Sequence, residues 1–273
     1  MANKASFPYE SYETLAEPIT VYYPTGQESL ARWAFQTIDK AGNLLAKLLA
    51  LPTPEMEILL VAPADWHLAP HNEPEELGNP HPYWTDATSA TSATSATSPP
   101  CIVIPLELDP IFGQPAQEKF AFILYHELAL AFLESDPRPY PEEYPLWADE
   151  WQLKFAALWL SQQINAQKGV VNKDLHEKYA EIFEPEEDGK TPVTIRGFDW
   201  YEDTTPEDYL CYELLLEQFA ADLLAQYGPE LLPRFLALYR KDYNALLSED
   251  VTEMLGSAIG PNGTRWLDEL TYF

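Results

Sequence analysis

The chain has 273 residues and a strongly acidic composition, with 44 Asp and Glu residues against 16 Lys and Arg and a formal net charge of −28. This charge argues against nucleic acid as a partner, because phosphate binding needs clustered Lys and Arg side chains. It argues equally against adhesion to an anionic membrane surface. Hydrophobic residues make up 46% of the chain, which is enough for a sizeable core.

The sequence carries few targeting signals. Its first residues lack the apolar stretch of a secretory signal peptide, and the most apolar window, 120–133, contains His126 and Glu127. The two cysteines, Cys101 and Cys211, lie far apart and form no CxxC pattern. We therefore expect a cytoplasmic protein with two buried thiols and no membrane partner.

The N-terminal part alternates short apolar strands with one amphipathic helix. Residues 19–23 are rich in β-branched and aromatic side chains and predict a strand. From 28 to 49 the apolar residues recur mostly at spacings of three and four, which predicts a helix. Residues 56–61 predict a second strand, expected to lie beside the first across a β-α-β crossover.

A tract of repeated Ala-Thr-Ser occupies most of residues 87–100. Such a segment cannot bury enough apolar surface to offset the entropy of ordering it, so we predict a mobile loop. The flanking segments 83–85 and 101–106 are apolar. They are predicted to pair as a hairpin with the tract at its tip.

The rest of the chain is predicted to be helical. Thr205 and Pro206 are typical of a helix start and Gly228 of a helix end. The composition therefore predicts an α+β protein: an N-terminal lobe, 17–134, with a small mixed sheet and helices, and an all-helical C-terminal lobe, 135–273, as one unit. The strongest helical segments are 117–134, 147–167, 174–183, 206–226 and 229–238.

The segment 117–134 contains the most informative feature of the sequence. It is apolar on nearly every side, which is typical of a helix buried all round. His126 and Glu127 lie in its middle, and buried polar groups need partners. They are either a satisfied polar pair in the core or part of a metal site.

The run from His126 to Leu130 resembles half of an HExxH motif. In that motif, two imidazoles at positions i and i+4 share one helix face and bind zinc, and the Glu activates a water molecule. Here His126 and Glu127 are present, but Leu130 stands at the second ligand position and offers no lone pair. Glu150, at the start of the next predicted helix, could supply a carboxylate ligand or interact with the helix dipole.

Together these features resemble the zincin fold of the gluzincin metallopeptidases (peptidase MA-like), which include thermolysin-like and aminopeptidase-like enzymes. Residues 126–133 are similar to the family's active helix, which often reads HELAHxxL. Residues 145–150 resemble its PxWxxEG stretch, with Trp151 in place of the usual Gly. Residues 212–228 look like its C-terminal helix ending in Tyr-Gly. With the order of strands and helices, the resemblance covers about 17–270.

This resemblance implies a role for each candidate residue. His126 would be the first zinc ligand, Glu127 the general base and Glu150 the third ligand, while Leu130 replaces the second His. Tyr209 or Tyr212 would lie near the oxyanion position that some relatives fill with Tyr or His. Loss of a zinc ligand should cost more than the roughly 10–100-fold that a lost supporting residue costs.

We therefore expect a degenerate, non-catalytic metallopeptidase-like protein without a metal cofactor, whose cleft binds a peptide or protein. The alternative is a zinc-dependent hydrolase with an altered ligand set, for example one that uses a histidine from residues 67–81. A second incomplete motif, His176-Glu177, is expected to lie on an exposed helix surface. Acidic runs at 142–143, 184–188 and 202–203 are expected to be solvated loops, or a patch that docks a basic partner.

Overall fold

The computed structural model describes residues 7–16, 18–71, 80–85, 100–107, 117–186, 189–198, 204–241 and 243–273. The repeated Ala-Thr-Ser tract, and with it the predicted mobile loop, lies outside these ranges. The chain divides between Ser135 and Asp136 into two compact units. The architecture is α+β, as the sequence predicts.

The first unit combines strands with two long helices. Short 3₁₀ helices also occur at Tyr9–Ser11 and Pro63–Leu68. The strands and helices are β1 (Glu13–Leu15), β2 (Thr20–Tyr23), α1 (Glu28–Leu49), β3 (Glu57–Val61), β4 (Tyr83–Thr85), β5 (Cys101–Pro105) and α2 (Gln117–Glu134).

The five strands that the structure describes form one mixed sheet in the order β1-β2-β3-β5-β4. β2, β3 and β5 run parallel to one another, whereas β1 and β4 run antiparallel to them at the two edges. The central strands β3 and β5 are apolar and almost completely buried, as parallel strands covered on both faces must be. The predicted crossover and the predicted hairpin are both confirmed.

Helices α1 and α2 are buried to different extents, as their different sequence patterns predict. α1 buries one stripe of small and aliphatic residues, including Ala34, Ile38 and Leu45. α2 is buried on most of its surface. The Trp33 and Phe120 rings stack between these helices, with centroids 5.4 Å apart. The middle of α2 thus lies inside the first unit, with His126 partly buried and Glu127 buried.

The regular secondary structure in the described residues of the second unit is all helical. The predicted single helix 174–183 is wrong: α4 ends at Lys178, and a 3₁₀ helix follows at Ala180–Phe183. The His176 and Phe183 rings stack at 5.3 Å, whereas seven residues of continuous helix would separate them by about 10 Å. The α-helices are α3 (Trp147–Asn165), α4 (Lys173–Lys178), α5 (Pro206–Tyr227), α6 (Leu231–Tyr239), α7 (Ser248–Ile259) and α8 (Gly263–Glu269).

An aromatic core holds the second unit together. Trp151 on α3 contacts Phe219 on α5 and Phe235 on α6, with ring centroids 6.3 and 4.9 Å away. Across the described ranges of both units, no helix has the length and apolarity required to cross a membrane. Cys101 and Cys211 are buried free thiols, as expected, and burial raises the pKa of Cys101 to about 12.

Candidate functional site

The carboxylate of Glu127 is the most constrained polar group on α2. Glu127 is buried, and each of its oxygens has a protein partner. Oε1 lies 2.9 Å from Nδ1 of His126. Oε2 accepts a hydrogen bond from the backbone N–H of Trp84 at 2.8 Å. The pair that the sequence singles out is therefore bound within the first unit.

Trp84 belongs to β4, an edge strand of the sheet as described. An outward-facing amide of an edge strand has no neighbouring strand to bond, so it needs another acceptor. Glu127 supplies that acceptor. Glu134, two turns further along α2, accepts a second hydrogen bond from the indole Nε1 of Trp84 at 2.5 Å. Two carboxylates of α2 thus attach the helix to β4.

The donor set on α2 does not fit a zinc ion bound in the HExxH manner. The second ligand position carries Leu130, whose hydrocarbon side chain cannot coordinate a metal. The position of the general base carries Glu127, whose two oxygens already accept hydrogen bonds or contact an imidazole. Within the ranges that the structure describes, no three His, Cys, Asp or Glu side chains are grouped so as to hold a metal ion.

Two of the other histidines of the first unit lie beside one aromatic ring. His71 and His81 have ring centroids 5.0 and 5.8 Å from that of Tyr83 on β4. His67 lies in the 3₁₀ helix Pro63–Leu68. These are the residues that the alternative ligand set would draw on.

A buried cluster of charges lies between α3 and α5 in the second unit. Lys154 is 9% exposed, and its ammonium forms an ion pair with Glu213. Burial alone would lower the pKa of Lys154, but the carboxylates of Glu213, Glu150 and Glu217 outweigh it and raise that pKa. The predicted metal ligand Glu150 therefore lies within electrostatic reach of a lysine one helical turn away.

Tyr209 and Tyr212 lie in the same cluster, on α5. The carboxylate of Glu213, followed by burial and the charge of Glu150, raises the pKa of Tyr209. Burial, followed by Glu150 and Glu213, raises the pKa of Tyr212. Tyr212 is fully buried and its ring stacks on Phe198 at 4.1 Å. The structure brings both tyrosines together with Glu150 and does not favour one of them for the oxyanion role.

Glu217 is a second buried carboxylate on α5. It accepts hydrogen bonds from the backbone N–H of Val171 at 2.5 Å and from the Asn172 side chain at 2.9 Å. Nε2 of His176 lies 3.4 Å away. Although burial opposes it, hydrogen bonding from His176, Asn172 and Val171 lowers the pKa of Glu217. The expectation that His176 is exposed is therefore wrong, because its side chain is only 11% exposed.

Sequence reasoning missed Lys154, Glu213 and Glu217. A signal for each was present. Lys154 is the one polar residue in the otherwise apolar run 153–160, and Glu213 and Glu217 interrupt an apolar stretch of α5 one turn apart. Like His126 and Glu127, these are charged or polar residues within an apolar helical segment. The spacing of one helical turn on two packed helices favours a shared charge cluster.

No protein-family model matches the chain, and no curated protein matches it.

Replacing Glu127 tests its structural role. We expect Glu127→Ala to lower the free energy of unfolding by about 1–3 kcal/mol, because the buried Trp84 amide loses its acceptor. Glu127→Gln keeps a carbonyl oxygen for that amide and should cost less than the Ala variant. Urea denaturation followed by circular dichroism measures both.

The exposed Glu118 on the same helix provides the control, with Glu118→Ala expected to remain within about 0.5 kcal/mol of the wild type. Equal stability of Glu127→Ala and wild type would contradict the role.

Proposed function

We propose that this protein is a non-catalytic, zincin-like protein that binds a peptide or protein instead of hydrolysing it. One observation supports this most directly: both oxygens of Glu127, the residue placed as general base, are engaged by protein groups. A general base must accept a proton from water, and a carboxylate bonded to Trp84 and His126 is poorly available for that step.

The residues next to Glu127 support the same proposal. A catalytic zinc ion needs three protein ligands and an open fourth position. Leu130 removes one nitrogen donor from α2. In the second unit, Glu150 has the charge of Lys154 nearby. An ammonium ion there supplies positive charge to a carboxylate that the resemblance assigns to zinc.

A reducing, cytoplasmic location is part of the proposal. Cys101 and Cys211 are buried as free thiols, which is typical of proteins from compartments that keep thiols reduced.

Zinc content tests the proposal without relying on activity. We expect the wild-type protein, purified from zinc-supplemented medium and dialysed, to contain far less than one zinc ion per chain. Leu130→His restores an imidazole one turn from His126 and should raise zinc affinity by more than about tenfold. The gain should vanish when His126→Ala is added to Leu130→His. Stoichiometric zinc in the wild type that disappears in His126→Ala alone would instead establish the metal-dependent hydrolase with an altered ligand set.

A further inference from the structure

Exposed hydrophobic side chains are gathered at one place in the second unit. Across the described ranges, the large hydrophobic residues with high exposure are Tyr144, Tyr243 and Leu247, at 42%, 69% and 68%. Two backbone hydrogen bonds join the segments that carry them. The N–H of Glu142 donates to the carbonyl of Tyr243 at 3.1 Å, and the N–H of residue 246 donates to the carbonyl of Glu143 at 2.8 Å. We call Tyr144, Tyr243 and Leu247 the Tyr-Leu patch.

The Tyr-Leu patch is held in place by packed neighbours. The ring of Tyr144 contacts those of Tyr140 and Tyr239, with centroids 5.1 and 6.4 Å away. The N–H of Leu247 donates to the carboxylate of Asp250 at 2.8 Å, which fixes the start of α7. A surface that is already ordered loses little entropy when a partner binds. An exposed apolar patch with a polar rim is typical of an interaction site.

Acidic residues surround the patch. Glu142 and Glu143 precede Tyr144, and Glu249 and Asp250 follow Leu247, and all four are exposed. The segments 142–144 and 243–250 contain no basic residue. The carboxylate of Glu249 forms an ion pair with the guanidinium of Arg196, with Oε1 and Nη2 3.5 Å apart. The carboxylates of Glu142 and Glu143 form no ion pair with the rest of the described chain. The nearest basic residue in sequence is the exposed Lys241.

We propose that the Tyr-Leu patch docks a basic, amphipathic segment of a partner protein. Lys or Arg side chains of that segment would lie against Glu142 and Glu143 and over the tyrosine rings, where cation–π contacts add to the attraction. Its apolar side chains would cover Leu247. A second copy of this chain is a poor occupant, because each copy carries a formal charge of −28. This proposal does not depend on the one made for α2.

A synthetic peptide of repeated Lys-Leu-Leu-Lys units provides the probe, with binding followed by fluorescence anisotropy. We expect Glu142→Gln/Glu143→Gln, and separately Tyr243→Ser, to weaken binding by about tenfold or more, as central interface residues do. The matched control is Glu184→Gln/Glu186→Gln, which makes the same change in net charge at another exposed acidic run. This control should change the affinity by less than about twofold.

Two further measurements complete the test. A peptide with Ser in place of Leu should bind about tenfold more weakly if the apolar side chains take part. Equal loss in the patch variant and the matched control would show non-specific charge attraction and overturn the proposal, as would no loss in either. Sedimentation of the free protein tests whether a second copy of the chain binds the patch instead. Concentration-dependent self-association that Tyr243→Ser abolishes would assign the patch to that second copy and would also overturn the proposal.

Discussion

Lys154→Met is expected to lower the free energy of unfolding by about 3 kcal/mol. The substitution preserves most of the aliphatic volume but removes the ammonium that faces Glu213. Glu213 would then remain as an uncompensated carboxylate, close to Glu150 and Glu217. Removing one partner of a buried ion pair is far more costly than removing both. Urea denaturation followed by tryptophan fluorescence measures the change, and the exposed Lys168→Met in the same unit should stay within about 0.5 kcal/mol of wild type.

The double variant Lys154→Met/Glu213→Gln separates charge from packing. If the loss in the single variant comes from the uncompensated carboxylate, the double variant should recover at least about 1 kcal/mol of it. The stabilisation by Lys154 should persist throughout the neutral range, because its pKa is raised in the folded protein and the contribution is lost only as the pH rises through that pKa. A Lys154→Met protein as stable as wild type would refute the account of this cluster.

Glu217→Gln is expected to cost about 2–3 kcal/mol at neutral pH. The Gln side chain keeps one acceptor oxygen but presents an NH₂ group to donors, so the hydrogen bonds from Val171 and Asn172 cannot all be retained. Hydrogen bonds to a charged group are worth more than neutral ones. Hydrogen exchange gives a local readout, because the amides of Val171 and Asn172 should exchange faster in the variant. Glu253→Gln, at an exposed position of α7, is the control.

The difference in stability between wild type and Glu217→Gln should depend on pH with a definite sign. The pKa of Glu217 is lowered in the folded protein, so its stabilisation is full above the pKa of the unfolded chain, about 4.3. It is lost as the pH falls through the lower folded pKa. The stability gap between wild type and Glu217→Gln should therefore close as the pH falls from about 5 to below about 4. A gap that stays open below about pH 4 would rule out the carboxylate as its source.

Most of the fold could be predicted from the sequence, because the spacing of apolar residues and the composition of each segment indicate its strands and helices. The parallel pairing of β2 with β3 and the hairpin of β4 with β5 follow from short apolar runs and their connections. β1 was missed because Glu13–Leu15 is short and mostly exposed, and only its antiparallel register with β2 defines it as a strand. The break after α4 was missed because apolar spacing does not show the contacts of this segment, such as that of His176 with Glu217, 41 residues away.

The candidate site was predictable only in part. A His-Glu pair inside the apolar α2 indicates buried polar groups that need partners, and both residues have them. The partner itself was not predictable, because a backbone amide 43 residues away has no sequence signature. Lys154 could have been found, since a lysine within an apolar helical run raises the same question as His126.

The attachment of β4 to α2 has a consequence for how copies of this chain behave at high concentration. Unpaired backbone amides at the edge of a sheet can pair with a strand of another molecule and begin amyloid-like growth, although a strand as short as β4 offers few of them. Here the Trp84 amide is already bonded to Glu127, and the neighbouring indole is bonded to Glu134. The Trp84 amide is therefore not available to a strand from another molecule, and loss of the Glu127 carboxylate would free it.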